Sequence, residues 1–214
     1  NFIVPGGCMY DLHPDFVKSV KDFIIFFKSK LSEYDEMVTN NPIFQARMQN
    51  VGSITKENAI SYGCSGPVAR AAGVTCDVRK LSPYDVYSQV EFTEAIEKEG
   101  DCFARYKVRM KEMNESMRII EQLIDNIPEG EFQAKTKAVL KLPKGDFYSN
   151  VETARGDFGV YIISEGGTTP YRIKFRSPGF CNLSALDHMA RGNKIGDLVA
   201  IMGSLDLVIP DIDR

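Results

Sequence analysis

Apolar residues recur at helical spacing early in the chain: Phe16, Val20, Phe23, Phe27 and Leu31 are separated by threes and fours, with Lys18, Lys21 and Asp22 between them. That spacing puts the apolar side chains on one face of a helix. His13-Pro14-Asp15 supplies its start, because proline fits the first turn, where its missing N–H has no acceptor to lose. Asn40-Asn41-Pro42 breaks the pattern, Thr55 and Asn58 flank a short helix through Tyr62, and Gly66-Pro67 opens another that ends at Gly73. The strongest period runs over 93–126, where Ile96, Phe103, Tyr106, Met110, Met113, Met117, Ile120 and Ile124 lie on one line. Such a seam is what a long bundle helix shows to its neighbour, and the helix over 16–31 is the expected neighbour. Its three methionines read as packing rather than as a cofactor box, and Pro128 follows where helices stop.

The character changes after Gly130. Residues 141–176 read as strands punctuated by Arg155-Gly156-Asp157 and by Gly166-Gly167-Thr168-Thr169-Pro170. The stretch 158–163 is apolar at every second position in both phases, so that strand is expected to be covered on two sides. Tyr171, Ile173 and Phe175 alternate with Arg172, Lys174 and Arg176, which predicts one buried face and one basic, solvated face. Ser184 and Asp187 suggest a capping box for a helix ending at Gly192, and 195–202 a second short helix. The stretch 205–212 is apolar enough to need cover. The expected fold class is mainly α (α+β): a helical bundle with a small antiparallel β unit. Residues 1–130 form the bundle part; residues 131–214 form the β unit and carboxy-terminal helices, packed on the bundle as one domain.

Composition narrows the classes without naming one. With 43% hydrophobic and 26% charged residues the chain can bury a core, and a net charge of −3 with mixed signs argues against nucleic acid as a partner. The longest apolar run, 23–27, lies between Lys21 and Lys28 and is far short of the roughly twenty residues a membrane helix needs, so no transmembrane segment is expected. No secretory leader is visible at Asn1. Cys8, Cys64, Cys76, Cys102 and Cys181 form no C-x-x-C pair, which fits reduced thiols serving as small core residues. His13 and His188 have no second ligand at helical spacing, so no metal site is expected from this chain alone. Phosphate-loop, nucleophile-elbow and zinc-protease motifs are lacking.

Several short motifs carry a resemblance. Gly6-Gly7 through Asp11-Leu12, Asn41-Pro42-Ile43-Phe44, Ser65-Gly66-Pro67 through Arg70-Ala71-Ala72-Gly73, Asp77-Val78-Arg79-Lys80 with Pro83-Tyr84, and Gly100-Asp101 with Ala104-Arg105-Tyr106 follow one another in order. Pro178-Gly179-Phe180, Gly203-Ser204-Leu205-Asp206 and a final Asp213-Arg214 complete the set. Together they resemble the D-type, quinone-site subunit of the proton-pumping NADH:quinone oxidoreductase (respiratory complex I), over about the carboxy-terminal half of a family member.

The resemblance implies a nickel–iron hydrogenase large-subunit-like fold. It implies electron transfer from iron–sulfur clusters to quinone, coupled to proton translocation, with flavin and clusters on partner subunits and no cofactor bound by this chain. The family's quinone-gripping histidine and tyrosine lie upstream of the stretch matched here, and the nickel-binding C-x-x-C of hydrogenases has no counterpart in 208–214. By resemblance the tail, with Ile212, Asp213 and Arg214, lies beside the quinone chamber, where a buried guanidinium next to a cluster would favour its reduced form. The implied partners are the iron–sulfur subunits and membrane arm of the complex, and the implied place is peripheral, on the cytoplasmic side of a bacterial inner membrane. The isolated chain is expected to be inactive. The alternatives are a component of a related membrane-bound hydrogenase-like dehydrogenase, or a non-catalytic helical interaction module.

Overall fold

The computed structural model describes residues 2–137 and 139–213. A short antiparallel pair, β1 (Ile3–Val4) and β2 (Gly7–Cys8), precedes α1 (Phe16–Tyr34). The face of α1 differs from the predicted one by part of a turn. Ile24 and Leu31 are buried and Val17, Val20 and Phe27 half-buried, whereas Phe16 and Phe23 are exposed. On the side of α1 toward α6, Lys21 pairs with Asp125 and Lys28 Nζ with Glu121 Oε1 at 2.5 Å, and Phe23 stacks on Phe27.

A π-helical turn, Asp35–Thr39, ends α1 and leads into α2 (Pro42–Met48). Asn41 caps α2 by accepting from Ile43 N–H at 2.9 Å, which accounts for the break at Asn41-Pro42. Thr55 likewise caps α3 (Lys56–Ser61), and Asp77 caps α5 (Val78–Leu81). Between them lies α4 (Gly66–Ala71), buried along its whole length.

The long helix α6 (Cys102–Leu123) starts later than the seam predicts, leaving Ile96 outside it. Gly100, at φ +66°, brings the chain so close to the Ile54 carbonyl that a Cβ has no room there. Asp101 then caps the helix, its Oδ1 accepting from Ala104 N–H and its Oδ2 from Asn50 N–H, both at 2.7 Å. From Phe103 onward the seam residues are buried or half-buried. They meet more than one neighbour: α1 lies beside the carboxy-terminal half of α6, while α4 and α2 pack along the helix as well.

Three antiparallel strands follow, β3 (Gly145–Thr153), β4 (Gly156–Ser164) and β5 (Arg172–Arg176), in the order β3-β4-β5. The central strand β4 is half-buried for most of its length rather than covered on two sides. On β5 the basic face is solvated at Arg172 and Lys174, as the alternation predicts, but the buried face is missing. Ile173 and Phe175 are exposed, and Arg176 is the least exposed residue, because β5 runs into the next helix over the turn at Ser65.

The chain closes with α7 (Pro178–Ser184), α8 (Leu186–Ala190), α9 (Ile195–Leu205) and α10 (Ile209–Ile212). Ser184 caps nothing. It is the last residue of α7 and donates to Cys181 O at 2.6 Å, while Ser177 caps α7 from Phe180 N–H. The core joins Ile54, Ala59, Val68, Ala69 and Cys102 to Ala185, Met189, Ile201 and Leu205. The start of the apolar tail is therefore covered by the chain's own core, with Leu207 packed against it, while Ile209 stays exposed. Cys64 and Cys102 are buried and the other three cysteines half-buried, all as free thiols. Mainly helical α+β architecture is what the sequence pattern predicts. Among the described residues no helix is long and apolar enough to cross a membrane.

Candidate functional site

The turn joining β3 to β4 touches the start of α4 backbone to backbone. A Cβ on Gly66 would collide with the Arg155 carbonyl, and one on Gly156 with Ser65 and Gly66 N. Ser65 Oγ accepts from Asp157 N–H at 3.2 Å and from Arg176 Nη1 at 2.9 Å, and Asn182 Oδ1 accepts from Ser65 N–H at 3.2 Å. Backbone and small polar groups thus lock the sheet onto the bundle.

Locking the sheet there brings three distant charged segments together. Arg70, on α4, is 2% exposed; its Nε donates to Glu112 Oε1 at 2.7 Å and its Nη1 to Glu152 Oε1 at 2.8 Å. Glu152 Oε2 also accepts from Val78 N–H at 3.1 Å. Burial opposes the Arg70 charge, but the two carboxylates outweigh it and hold the guanidinium above its ordinary pKa. Two carboxylates share that one cation, and burial raises both Glu112 and Glu152 above the ordinary carboxylate range. Beside them Arg79 grips the buried Asp77 with two hydrogen bonds, at 2.9 and 2.6 Å, and lies over the Phe92 ring at 4.7 Å from its centroid. Burial works against the Asp77 charge, yet this double grip takes its carboxyl below the usual range. A cavity of about 470 Å³ opens onto Arg70, Arg79, Arg109, Glu112, Glu152 and Asp206. It is a charged, partly buried pocket whose glutamates bind protons more readily than usual.

Two further arginines lie one turn apart on α6. Arg105 is fully buried with carbonyls and a hydroxyl for acceptors: Gly100 O at 2.7 Å, Gly52 O at 3.0 Å and Ser204 Oγ at 2.9 Å. It clamps the loop before α3, the start of α6 and α9 together. Arg109 Nη1 donates to Arg105 O at 3.2 Å, and its buried Nη2 has no acceptor among the described residues. Desolvation lowers the pKa of both.

Neither the charged pocket nor the Arg105 clamp is legible from spacing; each stands inside a matched motif, but Glu112 and Glu152 carry no local signal. Of the residues singled out in the tail, Ile212 is half-buried in α10, Asp213 follows it exposed, and Arg214 lies outside the described residues. The tail is fixed through Asp211, whose Oδ2 accepts from Gly179 N–H at 2.7 Å and whose carbonyl accepts from Ser177 Oγ. Neither Ile212 nor Asp213 lines the charged cavity. Among the described residues no three His, Cys, Asp or Glu side chains come together as metal ligands, and burial pushes the thiols of Cys64 and Cys76 up to about 11. These side chains do not fit a thiolate-held metal.

Comparison with known proteins covers the whole chain. The family described as respiratory-chain NADH dehydrogenase, 49 Kd subunit, matches residues 1–141 and 136–214. The C/D-type subunit of the NADH-quinone oxidoreductase of Bacteroides thetaiotaomicron is 52% identical over 214 residues, all of this chain and 40% of that protein. The D-type subunit of the Desulforamulus reducens enzyme is 44% identical over 213 residues, which is 58% of its length. The H-type subunit of the NAD(P)H-quinone oxidoreductase of a Synechococcus strain is 39% identical over 238 residues, 61% of its length. The chain thus spans about half the length of the relatives it matches. With one family covering it from end to end, in the order its motifs resemble, the chain belongs to the 49 Kd subunit family of the respiratory-chain NADH dehydrogenase, the D-type subunits of NADH:quinone oxidoreductase.

Proposed function

We propose that this chain is part of the quinone-site subunit of a proton-pumping NADH:quinone oxidoreductase. That subunit passes electrons from iron–sulfur clusters on its partners to quinone. The observation that carries this reading is the family match across all of the chain, with relatives named for NADH and quinone. Flavin and clusters belong to partners in this reading. The subunit is peripheral, on the cytoplasmic side of a bacterial inner membrane, between the iron–sulfur subunits and the membrane arm. Residues 1–130 and 131–214 act as one packed domain.

Ile212, Asp213 and Arg214 border the quinone chamber in this reading. The anchoring of Asp211 on Gly179 supports it for Ile212 and Asp213, since a tail held at one residue restricts its immediate neighbours. In the assembled complex, Asp213→Asn and Arg214→Ala are expected to lower NADH:quinone turnover on the order of tenfold, equivalent to about 1.4 kcal/mol of transition-state stabilisation. NADH oxidation by a water-soluble acceptor that bypasses quinone should persist. Full quinone turnover in both variants would remove the tail from the site.

A further inference from the structure

The apolar side of β5, which the fold leaves open, belongs to a face that runs across the whole sheet. Phe147, Ile162 and Ile173 stand in one row over β3, β4 and β5, and Val151 is opposite Phe158 nearer the hairpin. Ser149 and Val160 lie between these rows, and no charged side chain stands on this side of the three strands. Phe147 is 41%, Val151 38% and Ile173 45% exposed. The opposite side is polar, and it is the one that meets the bundle, where Glu152 pairs with Arg70 and Arg176 with Ser65. A sheet ordinarily buries its apolar face against a second layer, and such a face left open on a folded domain marks a place where another surface docks.

Size and charge limit what that layer is. Three strands about 4.8 Å apart span roughly 10 Å, the diameter of one helix, and the stretch 147–151 is roughly 16 Å long, about three helical turns. The border of the face is basic. Ser164 Oγ donates to Leu142 O at 3.3 Å and Leu142 N–H to Gly167 O at 3.2 Å, which holds Lys141 and Lys144 at the outer end of the sheet, with Arg172 and Lys174 along β5. None of these four cations forms an ion pair among the described residues. The acids at that end are Asp146, whose Oδ2 accepts from Tyr161 Oη at 3.0 Å, and Glu165. A second copy of this face would bring two basic borders together over far less than the roughly 1,200 Å² that a stable interface buries. On a lipid surface Arg172 and Lys174, which alternate with Ile173, would point away from the headgroups. The flanks of a helix lying across the face can meet them at the β5 edge. We propose that this face seats an amphipathic helix of a partner, its apolar stripe on Phe147, Ile162 and Ile173 and its acidic flanks toward the four cations.

A fluorescent synthetic helix of about 18 residues, cross-linked to hold its fold, with leucines at helical spacing and glutamates on both flanks, tests this against a lysine-flanked twin. Anisotropy with the 214-residue chain should give the glutamate helix a Kd of about 100 µM or below, and the lysine helix one weaker on the order of tenfold. The methyl NMR signals of Ile162 and Ile173 should shift as it binds, and that of Ile195, exposed on α9, should not. Phe147→Ser with Ile173→Ser should weaken the glutamate helix on the order of tenfold. Should that variant not fold, Lys144→Glu with Arg172→Glu leaves the apolar face intact and should reverse the preference between the two helices. Equal binding of the lysine helix, no binding up to about 1 mM, or a shift of Ile195 in place of Ile173 would overturn the proposal. So would a dimerisation that Ile173→Ser abolishes, or binding of phosphatidylserine vesicles with the same dependence on Phe147 and Ile173.

Discussion

Arg70 Nη1 donates to Glu152 Oε1 across 2.8 Å, and this bond ties the buried helix α4 to the first strand of the three-stranded sheet. Removing the cation alone strands two buried carboxylates. Arg70→Met is therefore expected to cost about 3–5 kcal/mol in chemical denaturation, the penalty of an uncompensated buried charge. Adding Glu152→Gln should return part of that loss. An Arg70→Met midpoint equal to that of the parent would show that the network carries no stability.

The acids of this pocket act in opposite directions with pH. Against the cost of its burial, Arg79 lowers the Asp77 carboxyl below its ordinary 3.8, so the stability it gives is present above that pH and is lost as pH falls through the folded value. Asp77→Asn should cost about 2–4 kcal/mol near neutrality, and the gap to the parent should close toward pH 3.

Glu112 has the other sign. Burial raises it above 4.5, so its contribution is fully present below that pH and is lost as pH rises through the folded value. Relative to Glu112→Gln, the parent protein should lose stability as pH rises above 4.5 in urea titrations. A gap that widens in favour of the parent over that range would contradict the assignment.

Gly156 allows no side chain, because its φ of +129° and its contact with Ser65 and Gly66 leave no room. Gly156→Ala should cost about 2–4 kcal/mol, whereas Gly196→Ala, in α9 with nothing within 4 Å, should stay within about 0.5–1 kcal/mol of the parent. Similar melting temperatures for the two variants would mean that the sheet tip is not held at Gly66.

Arg105 uses three nitrogens toward Gly52, Gly100 and Ser204, a fan that one ammonium cannot reproduce. Arg105→Lys is expected to lower stability by about 2–3 kcal/mol despite keeping the charge, as read by thermal unfolding. A melting temperature unchanged by the lysine would show that position 105 needs only a cation.

Local chemistry is the legible part of this fold. Asn41 and Thr55 mark helix starts because capping is decided within four residues, and the α6 seam from Phe103 onward is set by one helix's own period. The buried faces of α1 and β5 are not legible. Each depends on segments far along the chain, α6 beside α1 and the Ser65 turn at the end of β5. The charged pocket is further out of reach, since Arg70 and Glu152 are 82 residues apart and neither position advertises burial. Ile212, Asp213 and Arg214 are singled out by family resemblance alone, because neither spacing nor composition marks them.

The core has one more consequence, for the order in which the chain can fold. Its two walls, around Ile54 to Cys102 and around Ala185 to Leu205, are separated by the whole sheet. Closing a loop of about 80 residues adds little entropy beyond a shorter one, but the loop must exist before it can close. On the ribosome, the helices up to α6 therefore emerge with Val68, Ala69 and Cys102 still facing water, and they wait for Met189, Ile201 and Leu205 to be made. That interval is when a chaperone has apolar surface to hold, and a chain stopped after the sheet would be a target for proteases.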